Sequence, residues 1–354
     1  MEWTDLIITA VKTAVIYLGM VQVVPIMLIV ERRGAALMQD RPGPNRVGPF
    51  GLFQPIADVI KMMMKEVTVP RQVNKALFLL GPFLVLFPAS LVIAALPFGD
   101  YFTLLGRDYL LQVANIDVGI LYVLAIGSLG IYGILFGGWA SNNKFSLIGA
   151  MRSSSQIISY EIPLGLAACS AVLWYGSFSL REMVYTQEGT FLGILPNWGF
   201  FYQPIGFLLF FIAAFAETNR LPFDLPETEA ELVAGFHTEY GPMDFGTFFM
   251  AEYMNMATMS GLMVAMYFGG WHLPWVSDVT LLQWLGSRNL LAALQVVTVI
   301  VKISVFMLMF VWVRWTLPRF RFDQLMRLAW RNLIPIGLIN LVITALIMYF
   351  RSAQ

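Results

Sequence analysis

Long apolar runs alternate along this chain with shorter polar segments. If a bilayer-crossing helix needs about 17 to 25 mainly apolar residues, the pattern predicts eight spans, at about 6–30, 76–97, 118–140, 157–175, 203–217, 254–270, 290–313 and 333–350. The fifth and sixth are the shortest. Within the first polar segment, Arg41 to Pro49 holds three prolines and two glycines in nine residues, too many for a helix or strand interior, and predicts a fixed irregular loop. From Phe50 the period turns helical. Phe53, Ile56, Ile60 and Met63 recur at three- and four-residue steps, with Gln54, Asp58, Lys61 and Lys65 on the other side. The expectation is an amphipathic helix over 50–65, too charged to span, inside a first polar loop at 31–75.

Composition agrees with the pattern. With 58% hydrophobic residues, 12% charged residues and a mean hydropathy of +0.71, the chain is expected to be an all-α polytopic integral membrane protein, a single membrane domain over 1–354. The opening MEWTD lacks a basic stretch and runs into the first apolar segment, which predicts a retained span and not a cleaved signal. Net charge is zero, so only the distribution of charge informs. The loops after spans one, three, five and seven carry 8, 2, 1 and 5 basic residues, against only Arg107, Arg181, Arg288 and Arg351 in the other loops and tails. By the positive-inside rule the basic loops face the cytoplasm and both termini face outward. Cys169 is the only cysteine, so neither an internal disulfide nor an iron–sulfur cluster held by this chain is expected. His237 and His272 lack metal-ligand spacing, and no phosphate-binding glycine motif is present. No metal site and no nucleic-acid partner are expected.

The acidic segment at 218–253 stands out. Glu217, Asp224, Glu227, Glu229, Glu231, Glu239, Asp244 and Glu252 are accompanied by one basic residue, Arg220. Asp224 to Glu227 and Thr228 to Glu231 have capping-box spacing, which accounts for two or three of these acids. It does not account for Glu217 at the end of an apolar run, or for Glu227 and Glu231 one turn apart on one face. Like charges that close perturb each other's ionisation and can form a proton-exchanging row. Glu161 lies inside span four, just before Pro163, and an ionisable group there points to function. Lys12 and Lys302 read as snorkelling side chains, Gly133 and Gly137 as a packing contact, and the abundant Met and Phe as core or lipid-facing residues.

Two long motifs then carry a resemblance. ERRGAALMQDRPGPNRVGPFGLFQPIADVIKMMMKE at 31–66 and AETNRLPFDLPETEAELVAGFHTEYG at 216–241 resemble the two signature stretches of the H-subunit family of proton-pumping NADH:quinone oxidoreductase, respiratory complex I. LIGAMRSSSQIISYEIPLG at 147–165 and FFMAEYMNM at 248–256 extend the similarity, which runs through all eight spans. The outward loops at 98–117 and 176–202 are long for that family. The resemblance implies a membrane-arm subunit beneath the hydrophilic arm, in a bacterial plasma (inner) membrane, with quinone as substrate and no covalent or metal cofactor of its own. By matched motif, Arg32, Arg41, Arg46, Asp58 and Phe249 would fall on the quinone passage, and Glu161, Glu217, Glu227, Glu229 and Glu231 on the proton-coupling side. Electrons would arrive from an iron–sulfur cluster in a neighbouring subunit.

The chemistry of the residues agrees with that picture. A lipid-soluble quinone enters sideways from the bilayer, past an interfacial helix, and its reduction creates charge that nearby Arg and Lys stabilise and nearby carboxylates feel. Two alternatives stay open at this point. One is the equivalent subunit of a membrane-bound hydrogenase or of a cofactor F420-linked dehydrogenase. The other is a stand-alone cation or proton transporter, which would predict inverted repeats that the sequence does not display.

Overall fold

The computed structural model describes residues 3–104, 106–191, 193–225 and 228–352, with the backbone alone at Thr4, Glu229 and Ala230. The first half comprises α1 (Trp3–Met38), α2 (Gln54–Met64), α3 (Lys75–Val92), strands β1 (Tyr101–Leu104) and β2 (Arg107–Leu110), α4 (Gly119–Ser128), α5 (Gly130–Ala140) and α6 (Lys144–Tyr175). There follow α7 (Leu180–Tyr185), strands β3 (Thr190–Phe191) and β4 (Leu195–Pro196), α8 (Gly199–Tyr202), α9 (Pro204–Glu217) and α10 (Glu229–Leu232). The chain ends with α11 (Pro242–Tyr267), α12 (Asp278–Leu285), α13 (Arg288–Thr316), α14 (Phe322–Arg327) and α15 (Ile334–Ser352).

This is an all-α polytopic membrane fold. Among the described residues six helical segments are long and apolar enough to cross a membrane: Asp5–Met38, Lys75–Ala95, Gly119–Ala140, Lys144–Tyr175, Arg288–Thr316 and Phe322–Ser352. They coincide with six of the eight expected spans. The fifth expected span is the 14-residue α9, about 21 Å long at 1.5 Å per residue and so shorter than a hydrocarbon core. The sixth is the second half of α11, whose first half carries Asp244 and Glu252.

Helix ends follow local chemistry. Asn74, Asn143 and Ser277 accept backbone N–H groups at the starts of α3, α6 and α12, each satisfying one of the unpaired donors of a first turn. Pro204 and Pro242 sit in the first turns of α9 and α11, where no N–H is missed. Because of Pro242, α11 begins well before residue 254, and Phe249, Glu252 and Tyr253 stand on a helix instead of in a loop. The expected capping box at Thr228 does not form. Its hydroxyl donates backwards to the Asp224 and Leu225 carbonyls, at 3.3 and 3.0 Å.

Every residue of α11 from Met256 to Tyr267 is buried, as expected of a helix apolar on all sides. Helices α1, α3, α9 and α13 surround it, and α13 and α15 turn Val297, Ile300, Val301, Ile339 and Val342 outward. Gly133 is the packing contact expected of it, since a Cβ there would meet the Gly81 carbonyl of α3 at 2.7 Å. The long loops at 98–117 and 176–202 each fold back as an antiparallel hairpin, β1 with β2 and β3 with β4. Lys302 does not snorkel: from the middle of α13 its ammonium donates to the carbonyls of Phe268, Gly270 and His272.

Candidate functional site

The loop after α1 is built by backbone geometry. Gly51 has φ +72°, and a Cβ there would lie 2.2 Å from the Pro44 carbonyl oxygen, so only glycine closes this turn. Arg33 donates to the Phe50 carbonyl and pins the loop to α1. A 3₁₀ turn at Pro49–Gly51 then leads into α2, whose regular turns start at Gln54, later than the sequence period suggested. The orientation of α2 is unusual for a helix in water. Phe53, Ile56, Ile60 and Met63 are each more than half exposed, while Asp58 turns inward, 2.5 Å from Arg32 and 3.1 Å from Gln54.

Between this loop, α1 and α11 lies a cavity of about 470 Å³, lined by Leu28, Arg32, Arg41, Phe249, Tyr253 and Trp315 among others. Three of the five residues expected on the passage, Arg32, Arg41 and Phe249, therefore line this one cavity, and Asp58 holds Arg32 at its edge. Arg46 stands apart, exposed on the loop.

The floor of the cavity is a buried charge cluster. Glu31 accepts from Arg220 at 3.1 Å, and also from Arg314 and the Tyr253 hydroxyl. The Arg220 guanidinium lies 4.2 Å from the Tyr253 ring centre, a cation–π contact made in a desolvated setting. Beside it Arg319 donates to Asp224 at 3.1 Å. Burial pushes the Asp224 carboxyl up from its ordinary range, against the pull of Arg319 and Arg314. Among the described residues several polar atoms here have no hydrogen-bond partner, including Asp224 Oδ1, Arg314 Nε and Arg220 Nε and Nη2. Such under-coordinated charge is costly in a closed core and suits a place where water or a polar head group enters.

Two small cavities continue inward. One of about 10 Å³ is lined by Asn219, Arg220, Asp224, Phe249, Glu252 and Arg314. The other, of about 30 Å³, includes Glu217, Thr218, Asn219, Phe248, Glu252 and Asn255 in its wall. Asn219 and Glu252 line both. The larger has room for a water molecule, and Glu217 Oε2 beside it is sealed from solvent with no hydrogen-bond partner among the described residues. Glu161, on α6, is near enough for its charge to interact with that of Glu217. His237 packs among Phe236, Phe245 and Phe248, with ring centres 3.7, 5.2 and 5.1 Å away. Burial pushes this imidazole down to about 3.

The acidic segment thus divides. Glu161 stands within electrostatic range of Glu217, whereas Glu231 turns outward to pair with Arg152 of α6 at 2.5 Å. Glu227 and the side chain of Glu229 lie outside the described residues. Glu31, Tyr253 and Arg314 were not singled out from sequence, and Asp224, Glu252 and Arg220 were noted only as acids and the lone base of the acidic segment, without a place in the site. Arg220 carried the best available signal, as the one basic residue in an acidic stretch.

With this geometry in view, the comparisons fall on the whole chain. The family model described as NADH dehydrogenase matches residues 11–345. An NADH-quinone oxidoreductase H subunit of Cytophaga hutchinsonii is 47% identical over 339 residues, covering 96% of this chain and 94% of the relative. The chain belongs to the H-subunit family of NADH-quinone oxidoreductase. The H subunit of Bdellovibrio bacteriovorus is 45% identical over 376 residues, covering 98% of both chains. An H subunit of Geobacter metallireducens is 43% identical over 347 residues, again with 98% of both covered. As a member of this family the chain is one component of an oxidoreductase complex, complex I, and its partners include the other subunits of that complex.

Proposed function

We propose that this chain forms the entrance and inner wall of the quinone chamber and passes the charge change of quinone reduction to a protonatable path inside the membrane. One observation carries the reading. The cavity of about 470 Å³ opens beside a helix with an outward apolar face, and its floor of buried charge is continuous, through Asn219 and Glu252, with the space beside Glu217. The exposed Phe53, Ile56, Ile60 and Met63 suit contact with acyl chains. A ring carried past them meets Phe249 and Tyr253 on one side and Arg32 and Arg41 on the other. Partial negative charge that develops on quinone oxygens during reduction is stabilised by these guanidinium groups.

In the same reading the first, third, fifth and seventh loops face the cytoplasm of a bacterial plasma membrane, with both termini periplasmic. The hydrophilic arm docks on that face and delivers electrons from its terminal iron–sulfur cluster. One cysteine, Cys169, cannot ligate such a cluster alone. The hydrogenase-type and transporter alternatives explain the acids but give the Arg41 loop no task.

The test is Arg41→Ala in the assembled complex. NADH:quinone turnover falls, while electron transfer from NADH to a water-soluble acceptor, which bypasses the membrane site, is retained. Equal loss of both activities in assembled complex contradicts a role on the passage.

A further inference from the structure

Tyr267 ends α11 at the pole opposite Phe249 and Glu252, about 20 Å or more away along the helix axis. There the chain makes a tight turn through Gly269 and Gly270, both at positive φ, to Trp271 and His272. His272 is 2% exposed. Among the described residues neither of its ring nitrogens makes a hydrogen bond of good geometry. A neutral imidazole carries one donor and one acceptor, so burying both without partners is unfavourable unless something else engages the ring.

Two carboxylates face it. Asp278, the first residue of α12, places Oδ2 3.2 Å from His272 Nδ1. Glu188, at the end of the turn after α7, accepts the backbone N–H of Asp278 at 3.1 Å. One ligand-capable atom from each of Glu188, His272 and Asp278 lies within 4.8 Å of the others. Two ligands each about 2.1 Å from one ion are about 3.2 Å apart when they subtend roughly 100°, which is the His272–Asp278 spacing.

The surroundings are organised in the way metal ligands usually are. Gln295, 2% exposed, accepts the Asp100 N–H at 2.9 Å and donates its own amide to Asp278 Oδ2 at 2.9 Å. Its orientation is therefore fixed, and Asp278 Oδ1 is left buried without a hydrogen-bond partner. Lys302 bonds three carbonyls at 2.7, 2.9 and 2.7 Å, which occupies all three of its donors. One of those carbonyls is that of His272, so Lys302 locks the turn that presents the imidazole.

We propose that Glu188, His272 and Asp278 form a binding site for a first-row divalent metal ion of the zinc class, with water completing the coordination. One imidazole and two carboxylates suit zinc, whereas calcium and magnesium take oxygen donors. Glu188 comes from the stretch after α7, and His272 and Asp278 from the stretch that joins α11 to α12, so a separation of more than 80 residues hides the set in the sequence. Bound metal cross-links the loop after α7, the turn after α11 and the start of α12. This site is independent of the quinone reading and lies at the other end of the bundle.

The experiment uses the purified intact complex, treated with chelator, dialysed and titrated with zinc alone. Zinc per complex is measured by elemental analysis, and the ligand shell by X-ray absorption at the zinc edge. The wild type takes up one zinc more than Glu188→Gln or His272→Ala, with a nitrogen/oxygen shell. Gln295→Ala, which leaves all three ligands in place and removes the amide that holds Asp278, weakens binding by about 10- to 100-fold. Glu188 is exposed and its Gln variant keeps the side chain's size, so that arm stands even where His272→Ala fails to assemble. A wild type that binds no zinc beyond the Glu188→Gln level overturns the proposal.

Discussion

Glu31, inside α1 about two turns before its end, and Arg220, in the segment just after α9, are 189 residues apart in sequence and meet as a buried pair at 3.1 Å. Arg314 reaches Glu31 from α13, and Tyr253 adds a hydroxyl from α11. Four parts of the chain are tied at one carboxylate.

Removing one member of a buried pair leaves an uncompensated charge in a poorly solvated place, at a cost of about 3–5 kcal/mol. Glu31→Gln strands two guanidinium groups and should reduce the amount of assembled complex in membranes. Arg220→Gln strands one carboxylate that still has Arg314. It should therefore be the milder of the two by native-gel quantification. The opposite ranking would mean that Arg314, and not Arg220, is the dispensable partner.

Orientation can be read with single cysteines once Cys169 is replaced. Ile194 is 77% exposed in the β3–β4 turn, and Val233, in the acidic segment, is 59% exposed. An impermeant thiol reagent added to intact cells should label Ile194→Cys and spare Val233→Cys. Labelling of Val233→Cys alone would invert the proposed topology.

His237 predicts a pH dependence of stability. Its folded value of about 3 lies below the roughly 6.5 of an unfolded chain, so on acidification the unfolded state takes up the proton first. The stabilising contribution is complete above about pH 6.5 and declines as pH falls toward 3, by about 1.4 kcal/mol per pH unit. His237→Phe suits the aromatic cage and removes the proton site. Thermal melts of the complex at pH 7.5 and pH 5.5 should show a smaller acid-induced loss in His237→Phe than in the wild type.

Six of the eight expected spans were legible because a bilayer demands about 20 apolar residues in a row, and the Arg41 loop because proline and glycine forbid regular structure. The true start of α11 was hidden: Pro242 opens it inside a stretch whose acids look loop-like. The charge cluster was hidden for a different reason. Glu31 and Arg314 each look like an ordinary flank of a polar segment, and only the packing of α1 and α13 beside the segment after α9 brings them to Arg220. Glu231 misled in the other direction, since spacing along one stretch of sequence cannot reveal Arg152 across the gap.

The acidic segment now supports a sharper expectation about coupling. Glu217 has a sealed carboxylate oxygen beside a cavity of about 30 Å³ that it shares with Glu252, and Glu161 is its electrostatic neighbour. Glu231, 57% exposed and paired with Arg152, is a surface pair worth little by itself. Replacement by Gln keeps size and hydrogen bonding while removing the exchangeable proton. In assembled complex, Glu217→Gln and Glu161→Gln should lower NADH:quinone turnover and proton pumping together, by at least about tenfold if a proton step depends on them, because a coupled enzyme stalls when that step is blocked. Glu231→Gln should stay within about twofold of wild type, as expected for an exposed pair. Near-normal pumping in both Glu217→Gln and Glu161→Gln would leave these carboxylates without a part in the path and make the acidic segment a docking surface for the hydrophilic arm.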